Sequence, residues 1–326
     1  YCGVEARMVK SLALQADMAQ ESGACMFDVT LDCEDGAPVG GEVDHALMVA
    51  ALANSTVEAA SKVDDGIRPR VAARVHPVDH PCFQRDVEII VGAAGAALCH
   101  LMLPKVESVT DIDRALQAVE AALPASGRVL PLPIHVLIES PLAVQRVAAI
   151  ASHPQVASLS FGLMDFVSAH GGAIAASAMG VSAHDSRDSL DQFNHPLVVR
   201  AKLEIAAACH AHGKVPSHCV VTEFKDQAVL QAAARMACKA FGFTRMWSIH
   251  PDQIRPILAA FAPSEHEVAQ ASHIVCEGQA AGWAPIAIQG ILHDRASYRY
   301  YWQVLEKAHQ TARLPANDPA QVFFVA

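Results

Sequence analysis

The chain has 326 residues, 52% of them apolar and 18% charged, with a formal charge of −10. That length and apolar content suit one large α/β domain with an extensive interior, and the acidic balance argues against non-specific binding to nucleic acid or an anionic membrane. The apolar runs are too short for a membrane span, no secretory signal is present, and nine cysteines without a C-x-x-C pair suit a reducing cytoplasm.

The chain opens on Tyr1 rather than methionine, so a strand near Tyr1 is expected to be truncated. Helical spacing runs over residues 6–20, with Gly23 beyond. A strand over 25–31 closes on Asp32-Cys33-Glu34-Asp35-Gly36. Three carboxylates in four positions at a strand end are unusual for a plain turn and mark Glu34 and Asp35 as site candidates.

An Ala-rich helix over 42–62 leads to a strand over 69–75. It carries Arg74, either a surface arginine on an edge strand or a rigid fork for a carboxylate or carbonyl oxygen. A helix over 82–94 and a strand over 97–103 follow, and the strand runs into Pro104-Lys105, which puts Lys105 at the same end as Arg74. After a helix over 111–123, apolar runs at 132–138 and 157–161 flank helical spacing at 142–150, the size of one crossover unit. Glu139 follows the first run and Asp165 the second. In parallel neighbours both carboxylates reach the same end of the sheet, and with no basic residue beside either in sequence they suit a hard cation of the magnesium type; the alternative is a structural ion pair.

Residues 182–195 read as a long polar loop over the mouth. A helix over 197–212 precedes a weak strand over 215–222, in which His218 and Cys219 point to opposite faces and read as core. A helix over 225–241, a strand over 243–249, and helices at 251–261 and 264–278 complete an alternation of about eight strands. This is the pattern of an α/β chain folded as a TIM (β/α)8 barrel spanning 1–281. Residues 282–326 form a short C-terminal helical extension, too small for a core of its own and expected to lie on the barrel or on a neighbouring subunit.

Taken in order, Leu31-Asp32-Cys33-Glu34-Asp35, Arg74 in ARVHP, Pro104-Lys105-Val106-Glu107-Ser108, Ile138-Glu139, the run from Ser160 to Asp165, Gly242-Phe243, Ile249-His250-Pro251-Asp252-Gln253 and Phe261-Ala262-Pro263-Ser264 resemble the citrate lyase beta subunit and malyl-CoA lyase branch of the HpcH/HpaI aldolases. The resemblance implies a magnesium-dependent carbon–carbon lyase, usually a trimer or hexamer, acting on a β-hydroxyacyl-CoA such as malyl-, citramalyl- or citryl-CoA. It implies that Glu139 and Asp165 bind Mg2+, that Arg74 holds the oxo-acid oxygen, and that Glu34 and Asp35 support that arginine and metal-bound water. It also implies that Asp294, in Gly290-Ile291-Leu292-His293-Asp294, is the catalytic base on a lid. Lys10 and Lys105 are candidates for the phosphates of coenzyme A.

Departures are Cys33 where the family has leucine, no lysine after the acidic motif, His76 where an asparagine is common, and His218-Cys219-Val220 where Ile-Asp-Gly is common. Alternatives are a malyl-CoA thioesterase, a 2-oxo-acid aldolase working without CoA through a histidine such as His135, His218 or His250, and a subunit with a dead site.

Overall fold

The structure, a computed structural model, describes residues 2–63, 66–181 and 190–324. Tyr1 and residues 182–189 of the expected loop lie outside that set. Seven parallel strands form one curled sheet in sequential order: β1 (Val29–Asp32), β2 (Val71–Arg74), β3 (Leu98–Leu103), β4 (Ile134–Ile138), β5 (Val156–Phe161), β6 (Val215–His218) and β7 (Arg245–Met246). Each is joined to the next by helical crossovers: α1 (Glu5–Ser22) precedes β1, α2 (Glu42–Ala60) follows it, and α3 (Phe83–Asp86) and α4 (Gly92–Ala94) follow β2. Next come α5 (Val109–Ala122), α6 (Pro141–Gln145), α7 (Val147–Ser152), α8 (Leu163–Ser168), α9 (Pro196–Ala211), α10 (Gln227–Arg235) and α11 (Pro251–Phe261).

The strands are apolar on both faces because helices cover one side and strand side chains fill the other. Val71, Ala72 and Ala73 are fully buried, as are Ile134 and Val136. The helices bury stripes at helical spacing: α1 turns Met8, Leu12, Gln15 and Met18 inward and stops at Gly23, whose left-handed φ of 70° a side chain would resist. Two expected helices are interrupted. Residues 82–94 pass from α3 through a π-turn at Val87–Val91 into α4, and Arg146 separates α6 from α7.

Among the described residues the parallel sheet has seven strands, against an expected alternation of about eight. The extended chain at Cys2 continues the pattern by a single parallel bridge to Leu31, in which the Cys2 amide donates to Thr30 O at 3.2 Å and Cys2 O accepts from the Asp32 amide at 2.9 Å. β7 is only two residues long, although the Trp247 amide still donates to His218 O. No helix among the described residues is long and apolar enough to cross a membrane.

The amino ends of the strands are tied by ion pairs. Asp28, before β1, takes Arg70 at 2.5 Å and Arg245 at 2.5 Å, with His100 at 3.7 Å. Burial pushes its carboxyl up, but Arg245 and Arg70 outweigh burial and hold it well below the usual range. Cys99 and His100 place ligand atoms near Asp28, yet burial lifts the Cys99 thiol to about 12 and two guanidiniums already occupy the carboxylate. This end is a structural clasp rather than a metal site.

A hairpin of β8 (Ile286–Ile288) and β9 (Ile291–His293) leads into α13 (Arg295–Gln310), which lies on α12 (Glu265–Ala280). Val268, Ala271 and Val275 of α12 join Leu305, Ala308, Leu314 and Ala320 in a hydrophobic cluster separate from the main core. The extension therefore does share a small core, because α12 supplies half of it. Packing thus joins α12 to the extension in one C-terminal unit.

Candidate active site at the carboxyl ends of the strands

Arg74 is the last residue of β2 and is 2% exposed, which excludes the surface-arginine reading. Its register partner on β1 is Asp32. The two pair through both arms: Nε donates to Oδ1 at 2.5 Å and Nη2 to Oδ2 at 2.8 Å. Asp32 also accepts from the backbone amides of Glu34 and Gly36, so the acidic turn folds around this one carboxylate. Burial pushes the Asp32 carboxyl up to about 6, against the pull of those two amides, and burial lowers Arg74 to about 10.

The remaining arm of the guanidinium reaches Glu34: Arg74 Nη1 lies 2.9 Å from Oε2. The other oxygen of Glu34, Oε1, accepts from Lys105 Nζ at 2.7 Å. Asp35 is more loosely held, 4.0 Å from Arg74 and 3.6 Å from Lys105, with about half of its side chain exposed. Of the acidic motif, Asp32 holds Arg74 most closely, with Glu34 next and Asp35 loosest, so the principal contact is a residue not among the expected candidates. The signal was there in the strand register, since Asp32 ends β1 as Arg74 ends β2.

Glu139 directly follows β4, and Asp165 is the third residue of α8, just past β5. The Ile138↔Phe161 register carries both to the same end of adjacent strands. Glu139 is 4% exposed, and its Oε1 accepts from the Lys105 backbone amide at 2.5 Å. Gly162 lies against its other side: a Cβ on Gly162 would sit 2.5 Å from Glu139 Cβ and Oε2. Burial first, and then the charge of Asp165, push the Glu139 carboxyl up to about 8. Both carboxylates in turn favour the charged form of Arg74. Asp32, Glu34, Asp35, Glu139 and Asp165 thus gather around Arg74 and Lys105, an excess of negative charge that a divalent cation would relieve. The donors at Glu139 and Asp165 are all oxygen, the set a hard cation prefers.

The remaining candidates lie elsewhere. Lys10 is on α1 and lines a cavity of about 680 Å³ with Arg7, Arg245 and His250. Asp294 is the N-cap of α13; its Oδ1 accepts from the amides of Ala296 and Ser297. Among the described residues no hydrogen bond or ion pair joins Asp294 to Arg74, Glu34, Glu139 or Asp165 of the same chain. His135 is buried between the hydroxyls of Ser158 and Ser160, at 2.6 and 2.8 Å, and burial lowers it well below the usual imidazole range. His218 and Cys219 are buried as well. His250 caps α11 and stacks on Phe224. None of the three histidines joins the carboxylate cluster.

Residues 8–251 match the family described as HpcH/HpaI aldolase/citrate lyase. An L-malyl-CoA/beta-methylmalyl-CoA lyase of Cereibacter sphaeroides is 30% identical over 287 residues, covering 86% of each chain. A (3S)-malyl-CoA thioesterase of the same organism is 27% identical over 312 residues, 94% of each chain. A solved citrate lyase from Burkholderia xenovorans is 46% identical with a TM-score of 0.83, over 99% of this chain and 94% of the other. With the family match spanning most of its length and the acidic site at its strand ends, this chain belongs to the HpcH/HpaI aldolase/citrate lyase family.

Proposed function

We propose that this chain is a magnesium-dependent carbon–carbon lyase that cleaves a β-hydroxyacyl-CoA into an acyl-CoA and a 2-oxo acid, or forms it in reverse. The observation that carries the reading is Glu139, a buried carboxylate pressed against the charge of Asp165 beside Arg74. Two carboxylates brought to the same end of adjacent strands, with oxygen donors only, suit Mg2+ held by Glu139 and Asp165. When bound, that ion supplies a Lewis acid for the hydroxyl and carboxylate oxygens of the substrate.

In cleavage the hydroxyl gives its proton to solvent water, which in turn reprotonates Asp294 between turnovers; the bond between the carbinol carbon and the thioester α-carbon breaks, and its electron pair moves onto the thioester as an enolate. Arg74 stabilises charge on the oxo-acid side, its orientation fixed by Asp32 and Glu34. The enolate takes a proton at carbon from the acid form of Asp294, which acts as base on that carbon in condensation. We place Asp294 on a lid that completes the site of a neighbouring copy in a homotrimer or hexamer; within its own chain it caps a helix, accepting from Ala296 and Ser297. Closure of the sheet into a full (β/α)8 barrel, action in the cytoplasm, and contact of Lys10 with the coenzyme A phosphates belong to the same reading.

The 27% identical thioesterase supports hydrolysis of malyl-CoA on the same site as the second reading. Turnover with Mg2+ on L-malyl-CoA, β-methylmalyl-CoA, citramalyl-CoA and citryl-CoA separates the two. Release of a 2-oxo acid, abolished by EDTA, supports the lyase. Free CoA without oxo acid establishes the thioesterase, and silence on all four points to a free 2-oxo acid as substrate.

A further inference from the structure

Lys105 follows Pro104 at the end of β3 and has a φ of 52°. Among the described residues it is one of four non-glycine positions in the left-handed region, and the others, Trp283, Gln289 and Ala312, all lie in the C-terminal unit. A side chain at such a φ crowds its own backbone, so the conformation persists only where the surroundings enforce it. Here it turns the Lys105 amide onto Glu139 Oε1 at 2.5 Å. The same residue sends its ammonium back to Glu34 Oε1 at 2.7 Å, with Asp35 at 3.6 Å.

We propose that Lys105 is a positioning residue of the metal site, acting through its backbone on Glu139 and through its ammonium on the Arg74–Glu34 pair. The inference rests on the reading of Glu139 as a metal ligand. The amide occupies Oε1, and Gly162 lies under Oε2, so the carboxylate is fixed from two sides before any cation arrives. The ammonium performs a second task. It joins Asp32, Arg74, Glu34 and Lys105 into one alternating chain of charge, so that Glu34 takes one cation on each oxygen and keeps Arg74 turned to the strand ends. This gives Lys105 a role in the acidic site rather than at the phosphates of coenzyme A.

The two tasks separate by substitution. Lys105→Gly and Lys105→Met both lose the ammonium; glycine keeps the left-handed conformation without strain, and methionine keeps the bulk. Lys105→Val loses the same charge, but its β-branch resists positive φ. Calorimetric titration of each metal-free protein with Mg2+ is expected to leave the glycine and methionine variants within a few-fold of wild type, or tighter. The valine variant is expected to bind at least tenfold more weakly. In turnover, the methionine variant is expected to lose kcat at an unchanged KM for the thioester. Amide exchange in metal-free wild-type protein gives a check independent of how the valine variant folds: the Lys105 amide is slow, and Glu139→Ala speeds it at least tenfold. Equal Mg2+ affinity for the valine and glycine variants, a Lys105 amide indifferent to Glu139→Ala, or a raised KM at unchanged kcat overturns the inference while leaving the metal site standing. A wild type that binds no Mg2+ overturns the metal-site reading and this inference with it.

Discussion

The fork of Arg74 is seated on Asp32 from the neighbouring strand, both arms between 2.5 and 2.8 Å, with neither side chain more than 3% exposed. Planarity and spacing of the two donors make this pairing possible, and a lysine has neither. Arg74→Lys is therefore expected to lose at least a hundredfold in kcat while remaining folded. Arg74→Ala, which strands a buried carboxylate, is expected to cost about 3–5 kcal/mol of stability. Steady-state turnover and urea unfolding of the two variants check this.

Gly162→Ala tests the wall behind Glu139. The added methyl would stand 2.5 Å from Glu139 Cβ, closer than two carbons pack, so Glu139 has to move. Overpacking of this kind costs about 1–3 kcal/mol. Mg2+ affinity, measured by calorimetry, is expected to fall at least tenfold. Gly180→Ala, whose methyl would meet only Ser177 O at 3.5 Å, serves as the control and is expected to change neither quantity.

Asp294 has two separable jobs. As N-cap it accepts from Ala296 and Ser297, a task asparagine performs as well as aspartate. As a base it needs the carboxylate. Asp294→Asn is expected to melt at the wild-type temperature with turnover reduced at least a hundredfold, whereas Asp294→Ala also loses about 1 kcal/mol from the helix. Thermal melts run alongside turnover distinguish the jobs, and equal activity of the asparagine variant would remove Asp294 from the chemistry.

Lys202 gives a separate pH signature. It is fully buried, its Nζ donates to Gln192 O at 2.8 Å and Gln192 Oε1 at 3.0 Å, and it sits 4.1 Å over the Phe193 ring. Burial lowers it from 10.5 to about 8. Between those two values the unfolded chain carries the proton and the native chain does not, so native stability rises with pH across the window. Compared with Lys202→Met, wild type is expected to gain on the order of 3 kcal/mol from pH 8 to 10.5 in urea unfolding. A flat difference curve would contradict the burial effect.

Much of this arrangement was legible before any coordinates. Apolar runs declare themselves as strands at β2 through β5 because they are short and bounded by Pro, Gly or charge, and carboxylates at or soon after the ends of β4 and β5 stand out. Glu139 and Asp165 stand out in that way, and Arg74 by its place inside an apolar run. What escaped depends on register or backbone angle, neither of which a residue pattern encodes. Asp32 as the seat for Arg74 follows only from knowing that β1 and β2 end level. The left-handed turn at Lys105 has no glycine or asparagine to announce it. Nothing in the residue pattern marks Gly162 as the wall against which Glu139 lies. The core of the C-terminal unit was missed because its other half, α12, reads as the last helix of the preceding repeat.

That division of apolar side chains into two clusters bears on how the chain comes apart. A hydrophobic cluster melts as a unit when its contacts are mutual, and the residues of α12 and α13 contact one another more than they contact the sheet. The segment bearing Asp294 can therefore detach and re-dock as a block while the strands that hold Glu139 and Arg74 stay hydrogen-bonded. Backbone amides along α12 and α13 should lose protection together, at lower denaturant than those of β2 through β5, giving the molecule two steps of unfolding where a single shared core would allow one.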